Sequence, residues 1–235
     1  IFVLGEPVSE IKYVCRNVDI IMARLIKNET VELFGKNATV PFINGCDNSY
    51  HPCQILADAL TILEKFGTLD VNLMYIGAKN NVFNSHVEFF SKMKKGTLYG
   101  LTPLVNETAC GPDFYEEAKK SGHYIELDPA MSMEEAKEYA NKMDVLYTDT
   151  WVDMEFFNNP AYQKQKEETL AKMMPYQLNG DFTKDSKAIV FHDMPMHVGF
   201  EISQDVVDKN LDHILDEAEN RRHAEKAVMY TLLNS

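Results

Sequence analysis

The chain has 235 residues, 45% of them hydrophobic, which is enough for one large α/β domain or two small ones with genuine cores. Its 36 acidic side chains outnumber the 23 basic ones and give a formal net charge of −13. Such a charge repels phosphate backbones and anionic membrane surfaces. We therefore expect neither nucleic acid nor a membrane as a partner.

The cysteine pattern indicates the compartment. Cys15, Cys46, Cys53 and Cys110 form no CxxC pair, so we expect free thiols in a reducing environment. No apolar run approaches the roughly 20 residues that cross a bilayer, and no basic stretch precedes an apolar one at the N-terminus. These features predict a soluble, cytoplasmic protein.

The N-terminal segment mixes two patterns. Apolar residues recur at helical spacing over 9–24, after a helix start signal at Pro7, but the run 20–25 also fits a short buried strand. The sequence alone does not fix where this helix ends and whether a strand follows it. A short helix over 30–36 and a strand over 40–45 follow.

A long helix is predicted over 51–66. Its apolar residues lie on one face, Pro52 stands at a favoured first helical position, and Gly67 ends it. Beyond it, strands and helices alternate, which predicts a parallel sheet with helices on both faces. The predicted strands are 72–76, 97–101, 123–127, 144–148 and 188–191, and the predicted helices are 85–93, 113–121, 133–142, 163–174 and 217–233.

Polar residues follow successive predicted strands, at the edge where ligands bind in open parallel sheets. They are Arg24, His51, Asn80, Asn81, Asp149, His192 and Asp193. Each alone has an ordinary structural explanation, such as a helix cap or a turn. Together they favour one shared site.

Common cofactor motifs are absent from this sequence. The loop after the strand at 72–76 has a single glycine, Gly77, so GxGxxG fails, and no Walker phosphate loop occurs. The spacing of His, Cys and Asp suggests no metal site. Cys53 falls in the first turn of a helix without an evident base. We expect neither a cofactor nor a catalytic metal.

Four sequence blocks, in order, resemble ornithine carbamoyltransferases of the aspartate/ornithine carbamoyltransferase family. The blocks are Phe42-Ile43-Asn44-Gly45 with His51-Pro52-Cys53-Gln54-Ile55-Leu56-Ala57-Asp58, then Ile76-Gly77 with Asn80-Asn81, Asp149-Thr150-Trp151, and Glu217-Ala218-Glu219-Asn220-Arg221. The similarity covers nearly the whole chain.

The resemblance implies an α/β fold of two doubly wound parallel-sheet lobes, the N-terminal one incomplete, with a C-terminal helix crossing back. Residues 1–67 would be the remnant of the carbamoyl-phosphate domain with its bridging helix. Residues 68–210 would bind the acceptor, and 211–235 would return to the first lobe. A homotrimer, or a multiple of it, is also implied.

By the same resemblance, the protein transfers the carbamoyl group of carbamoyl phosphate to the amine of ornithine. Attack on the carbonyl builds negative charge on oxygen, which cations and hydrogen-bond donors stabilise. The donor would be gripped by Arg24, His51, Gln54 and Arg221. Because no side chain is an obvious general base, the leaving phosphate would accept a proton.

The acceptor amine would be held by Asn81 and Asp149, with attack near the loop His192-Asp193-Met194-Pro195. Here the chain departs from the family, which usually reads His-Cys-Leu-Pro in this loop. It also has Asp153-Met154-Glu155 where the family usually has Ser-Met-Gly. Asp153, Met154, His192 and Met194 are therefore candidate substrate-binding residues, and Asp193 joins Arg24, His51 and Arg221 as a candidate catalytic residue.

Two alternatives to ornithine carbamoylation follow from these departures. A carboxylate at Asp153 would repel the α-carboxylate of an amino acid and favour a diamine such as putrescine. The family also carries a Ser-Thr-Arg-Thr phosphate loop well before the arginine matched by Arg24, yet only 23 residues precede Arg24 here. The segment could lie outside this sequence, have been removed, or be lacking from a catalytically inactive paralogue.

Overall fold

A computed structural model describes residues 6–152 and 157–235. Within these ranges the first four elements form a small parallel unit. They are α1 (Pro7–Cys15), β1 (Ile21–Arg24), α2 (Asn28–Asn37) and β2 (Phe42–Cys46). Strands β1 and β2 pair in parallel, and Ile11, Cys15 and Phe34 form the core beneath them.

The open question at residues 9–24 is settled by this unit. The helix ends at Cys15, and Ile21–Arg24 is a strand, so the strand alternative is confirmed. Ile21 pairs with Phe42 and Arg24 with Cys46. Both strands consequently end at the same edge, which places the Arg24 side chain beside the loop that follows β2.

Helix α3 (Pro52–Phe66) connects the two sheets, as predicted. Pro52 lies in its first turn, where a missing N–H costs no intrahelical bond. Gly67 ends it with a φ of 70°, a left-handed conformation that glycine adopts without a Cβ clash. The His51 side chain makes no capping hydrogen bond, so helix capping does not account for it.

The second sheet has five strands within the described ranges, all parallel, in the order β5-β4-β3-β6-β7. The remaining elements are β3 (Asn72–Lys79), α4 (Asn81–Met93), β4 (Thr97–Val105), α5 (Pro112–Lys119), β5 (Tyr124–Glu126), α6 (Met133–Ala140), β6 (Val145–Thr148), α7 (Gln163–Met173), α8 (Gly180–Thr183), β7 (Ile189–His192) and α9 (Gln204–Leu233). Apolar clusters cover both faces of the sheet. The predicted parallel α/β architecture is confirmed.

Helix α9 is the main difference from the predicted elements. It begins at Gln204, well before the predicted start at 217, and the predicted domain boundary between 210 and 211 falls inside it. The helix packs along β7 and then along α3, so it returns to the bridging helix. That course carries Arg221 back to the N-terminal end of α3.

Each helix in the described part of the chain is too short or too polar to span a membrane.

Candidate active site

One cavity of about 700 Å³ lies where the two sheets meet, beyond the carboxyl ends of their strands. The predicted site residues that line it are Arg24, His51, Asn81, Asp149, Asp193, Met194 and Arg221. These side chains come from both sheets, from the start of α3 and α4, and from α9. The strand-end rule thus brings together residues that are far apart in sequence.

Two arginines and a histidine, Arg24, Arg221 and His51, line the part of the cavity between β1, α3 and α9. Arg24 is exposed at the end of β1, whereas His51 is buried at 6% exposure before α3. Burial lowers the pKa of His51 to about 3, and the nearby charges of Arg221 and Arg24 act in the same direction. The imidazole is therefore neutral at physiological pH and would act by donating a hydrogen bond rather than by its charge.

Hydrogen bonds to residues of α4 hold the main chain of His51 in place. Its N–H donates to Ser85 Oγ at 2.8 Å, and that hydroxyl donates to the Asn81 main-chain oxygen at 2.8 Å. Asn81 in turn donates through Nδ2 to the main-chain oxygen of Asp47, also at 2.8 Å. These bonds join the loop after β2 to the start of α4.

Gln54 lies under the cavity, without reaching its surface. Its side chain is completely buried, and its Oε1 accepts a hydrogen bond from Arg221. Arg221 also donates to the main-chain oxygen of Asp193 at 3.1 Å and pairs with the Asp193 carboxylate. The structure therefore brings Gln54, Arg221 and Asp193 together at one guanidinium group.

Asp149 lines the cavity after β6 and is 7% exposed. Its Oδ2 accepts from Asn80 Nδ2 at 2.7 Å and its Oδ1 from the Thr150 main-chain N–H at 2.6 Å. Asn80 also caps α4, because its Oδ1 accepts from the Phe83 N–H at 3.0 Å. Burial raises the pKa of Asp149, although these two donors oppose the shift.

Asp193 is the second carboxylate that lines the cavity. Burial and the nearby Asp149 act to raise its pKa, whereas the Arg221 guanidinium, which pairs with the carboxylate, opposes that shift and favours the charged form. Because its charge is offset by Arg221, Asp193 does not present a free carboxylate to a cationic ligand.

His192 does not line the cavity. Its Nδ1 accepts from the Met194 main-chain N–H at 3.0 Å, and its Nε2 lies 3.1 Å from Glu201 Oε1. Both ring nitrogens are thus used in holding the Met194 loop. Asp153 and Met154 lie outside the described residues.

Several residues around the site received no role from the sequence. Cys46, Asp47, Asn48 and Thr108 also line the cavity, and Asp58, His86, Tyr147 and Glu217 surround Gln54 below it. Asp58 and Glu217 stand in the sequence blocks that carry the resemblance, which is the signal that could have marked them. In the described part of the chain, no group of His, Cys, Asp and Glu side chains has the arrangement of a metal site.

Comparisons with known proteins agree with this arrangement. Residues 5–64 match the carbamoyl-P binding domain, and residues 69–232 the Asp/Orn binding domain, of aspartate/ornithine carbamoyltransferase. The chain is 34% identical to the ornithine carbamoyltransferase of Archaeoglobus fulgidus, over 97% of this chain and 71% of that protein. It is 37% identical to the Pyrococcus horikoshii enzyme, over 97% and 70% of the two chains.

A solved structure extends the match to three dimensions. The ornithine carbamoyltransferase from Pyrococcus furiosus superposes with a TM-score of 0.83 at 33% identity, covering 100% of this chain and 73% of that one. The chain therefore belongs to the aspartate/ornithine carbamoyltransferase family.

Proposed function

We propose that this protein transfers the carbamoyl group of carbamoyl phosphate to ornithine, giving citrulline and phosphate. The observation that carries the proposal is the convergence of Arg24, His51 and Arg221 with Asp149 around one cavity between the two sheets. Carbamoyl phosphate, which is negatively charged, would meet the arginines there, and the ammonium group of ornithine would meet Asp149.

The donor side fits carbamoyl phosphate. Arg24 and Arg221 offer positive charge to the phosphate and the carbonyl oxygen, and His51 offers a neutral N–H. His51 Nδ1 and Arg221 Nε are buried and have no hydrogen-bond partner among the residues that the structure describes. Buried polar atoms without partners are costly, so a ligand that binds beside them gains their hydrogen bonds.

The acceptor side fits ornithine. Asp149 would hold the ammonium group that does not react. Asn81 also lines the cavity, and its amide nitrogen donates to the main-chain oxygen of Asp47 and to Cys46 Sγ, which fixes the orientation of the side chain that the acceptor would meet. The reacting amine attacks the carbamoyl carbon, the bond to phosphate oxygen breaks, and the leaving phosphate accepts a proton. His192 and Met194 shape the loop beside the reacting centre.

The diamine alternative rests on Asp153, which lies outside the described residues, and Asp193, which is paired with Arg221, adds no support to it. The distinguishing experiment supplies the purified protein with carbamoyl phosphate and either ornithine or putrescine, and measures the carbamoylated product, which is citrulline from ornithine and carbamoylputrescine from putrescine. We expect turnover with ornithine and little with putrescine. Preference for putrescine would overturn the ornithine assignment, and no turnover with either amine would favour the inactive paralogue.

We also propose a cytoplasmic homotrimer, or a multiple of it, with the donor site on residues 1–67 and the acceptor site on 68–210. Exposed apolar side chains of the small first unit support self-association, among them Tyr13 at 71% and Ile26 at 82% exposure. Light scattering coupled to size-exclusion chromatography measures the assembly mass, and a monomer would contradict the trimer.

A further inference from the structure

The Gln54 amide has a defined orientation in a buried polar cluster below the cavity. Its Nε2 donates to Asp58 Oδ1 at 2.8 Å and to Glu217 Oε1 at 2.5 Å. Its Oε1 instead faces Arg221, which lines the cavity. The nitrogen therefore points away from the site and the oxygen points toward it.

Burial and the nearby Asp58 raise the pKa of Glu217 well above its usual value, and both of its carboxyl oxygens face hydrogen-bond donors. Oε2 accepts from the main-chain N–H of His192 at 2.8 Å, and Oε1 lies 3.4 Å from the Tyr147 hydroxyl in addition to Gln54. A main-chain N–H can only donate, so Oε2 is committed as an acceptor. Glu217 thereby selects the nitrogen end of the Gln54 amide.

Asp58 also selects the nitrogen end of the Gln54 amide, through its contact with His86. Asp58 Oδ2 lies 3.1 Å from His86 Nε2, and His86 Nδ1 lies 3.1 Å from the Val82 main-chain oxygen. Because a carbonyl only accepts, Nδ1 carries the ring hydrogen and Nε2 of the neutral ring is an acceptor. Burial lowers the pKa of His86 to about 4 and raises that of Asp58 to about 7. A proton on Asp58 Oδ2 would face His86 Nε2, and Oδ1 can accept from Gln54 whether or not Asp58 is protonated there.

We propose that Glu217, Asp58 and His86 are positioning residues that hold the Gln54 amide oxygen on the cavity side of the buried cluster. This oxygen accepts from Arg221 in the structure and would accept from the carbamoyl NH2 group of the donor once Arg221 moves onto the bound donor. This inference rests on the proposed function. The reversed amide would set its oxygen against two acceptor oxygens and its NH2 group against the Arg221 guanidinium, so the buried cluster stabilises one orientation.

The variant Glu217→Gln reverses this selection without changing side-chain size. The His192 N–H still requires an oxygen, so the new amide must direct its own NH2 group at Gln54. Gln54 then rotates, turns its oxygen inward and exposes its NH2 group to the donor. We expect Asp58→Asn to leave Gln54 in its present orientation, because an asparagine can donate to His86 Nε2 and keep its oxygen on Gln54.

Two stable donor analogues measure the orientation of Gln54. Phosphonoacetamide carries the carbamoyl NH2 group, whereas acetonylphosphonate has a methyl group in its place. Isothermal titration gives their affinities for the unmodified protein, Glu217→Gln, Asp58→Asn and the control Glu219→Gln, whose carboxylate is on the exposed side of α9. We expect Glu217→Gln to lose about 10- to 100-fold of the preference for phosphonoacetamide, the scale of a lost hydrogen bond and an unpaired donor.

The outcomes separate this inference from the function on which it rests. We expect acetonylphosphonate affinity to stay within about twofold in every variant, and Asp58→Asn and Glu219→Gln to keep the preference. An unchanged preference in Glu217→Gln, with citrulline formation by the unmodified protein, overturns the inference alone. An unmodified protein that neither binds phosphonoacetamide nor forms citrulline overturns both. If Glu217→Gln does not fold, the unmodified protein still tests the inference, because phosphonoacetamide that binds no more tightly than acetonylphosphonate to a citrulline-forming protein overturns it.

Discussion

The Arg221 guanidinium donates to the main-chain oxygen of Asp193 at 3.1 Å and pairs with the carboxylate of the same residue. A single loop residue thus supplies a charged and a neutral acceptor to the arginine that would bind the donor. The ion pair joins the loop after β7 to α9. It also reduces the positive charge that a donor would meet.

Asp193→Asn is therefore expected to have opposite effects on binding and stability. Removing the negative charge should tighten phosphonoacetamide binding by roughly 3- to 10-fold, because a neighbouring anion no longer opposes the phosphonate. Leaving Arg221 without its ion pair should lower the free energy of unfolding by about 1 to 2 kcal/mol. Titration calorimetry and urea unfolding measure the two quantities. Weaker binding of phosphonoacetamide would contradict the proposed competition.

Asp149→Asn tests the acceptor half of the site. The oxygen of the new amide can still accept a hydrogen bond from Asn80 or Thr150, but the amide lacks the negative charge that would hold the ornithine ammonium group. We expect the KM for ornithine to rise about 100-fold, the scale of a lost charge-assisted hydrogen bond in a buried site. The affinity for phosphonoacetamide should change little. A similar loss for both ligands would indicate general damage to the cavity.

The sequence predicted the architecture and the meeting point of the site residues. Hydrophobic periodicity defined α3 and the strands of the larger sheet, because buried faces impose it directly. The strand-end rule then indicated Arg24 and Asp149, which lie at the carboxyl ends of strands of different sheets and line the same cavity. Arg221 needed the family resemblance, since an arginine inside an acidic helix has no local pattern that distinguishes it from a surface residue.

The contacts around Gln54 were beyond sequence reasoning. His86 lies on the apolar face of α4, and its partner Asp58 lies on a different helix. A buried histidine requires a partner, but which partner depends on how α3, α4 and β6 pack. The early start of α9 was missed although Val206, Val207, Leu211 and Ile214 recur at helical spacing before residue 217.

The low pKa of His51 makes stability depend on pH. The unfolded chain binds a proton on this residue below its usual pKa of 6.5, whereas the folded protein does so only near 3. The contribution of His51 is thus complete above pH 6.5 and is lost as the pH falls toward 3. Relative to His51→Gln, the protein should lose about 2 to 3 kcal/mol of unfolding free energy between pH 7 and pH 4. Urea unfolding at both pH values measures the difference, and a constant difference would contradict a neutral buried imidazole.

Asn84 provides a test of how the cavity loops are held. Its Nδ2 donates to the main-chain oxygens of Ser49 and Thr108 at 2.9 and 2.8 Å, and its Oδ1 accepts from the Tyr115 hydroxyl at 2.6 Å. The side chain is completely buried and ties together loops that approach the cavity from both sheets. A carboxylate at this position could not donate and would face two carbonyl oxygens.

Asn84→Asp should therefore lower the free energy of unfolding by about 3 to 5 kcal/mol, because a buried charge would replace two satisfied donors. Asn158→Asp, at an exposed position, adds the same charge and should change stability by less than about 0.5 kcal/mol. Urea unfolding midpoints compare the two variants at pH 7. Because Thr108 and the loop at Ser49 border the cavity, the weakened Asn84→Asp protein should also bind phosphonoacetamide less tightly. Equal midpoints for the two variants would show that these loops are held by other contacts.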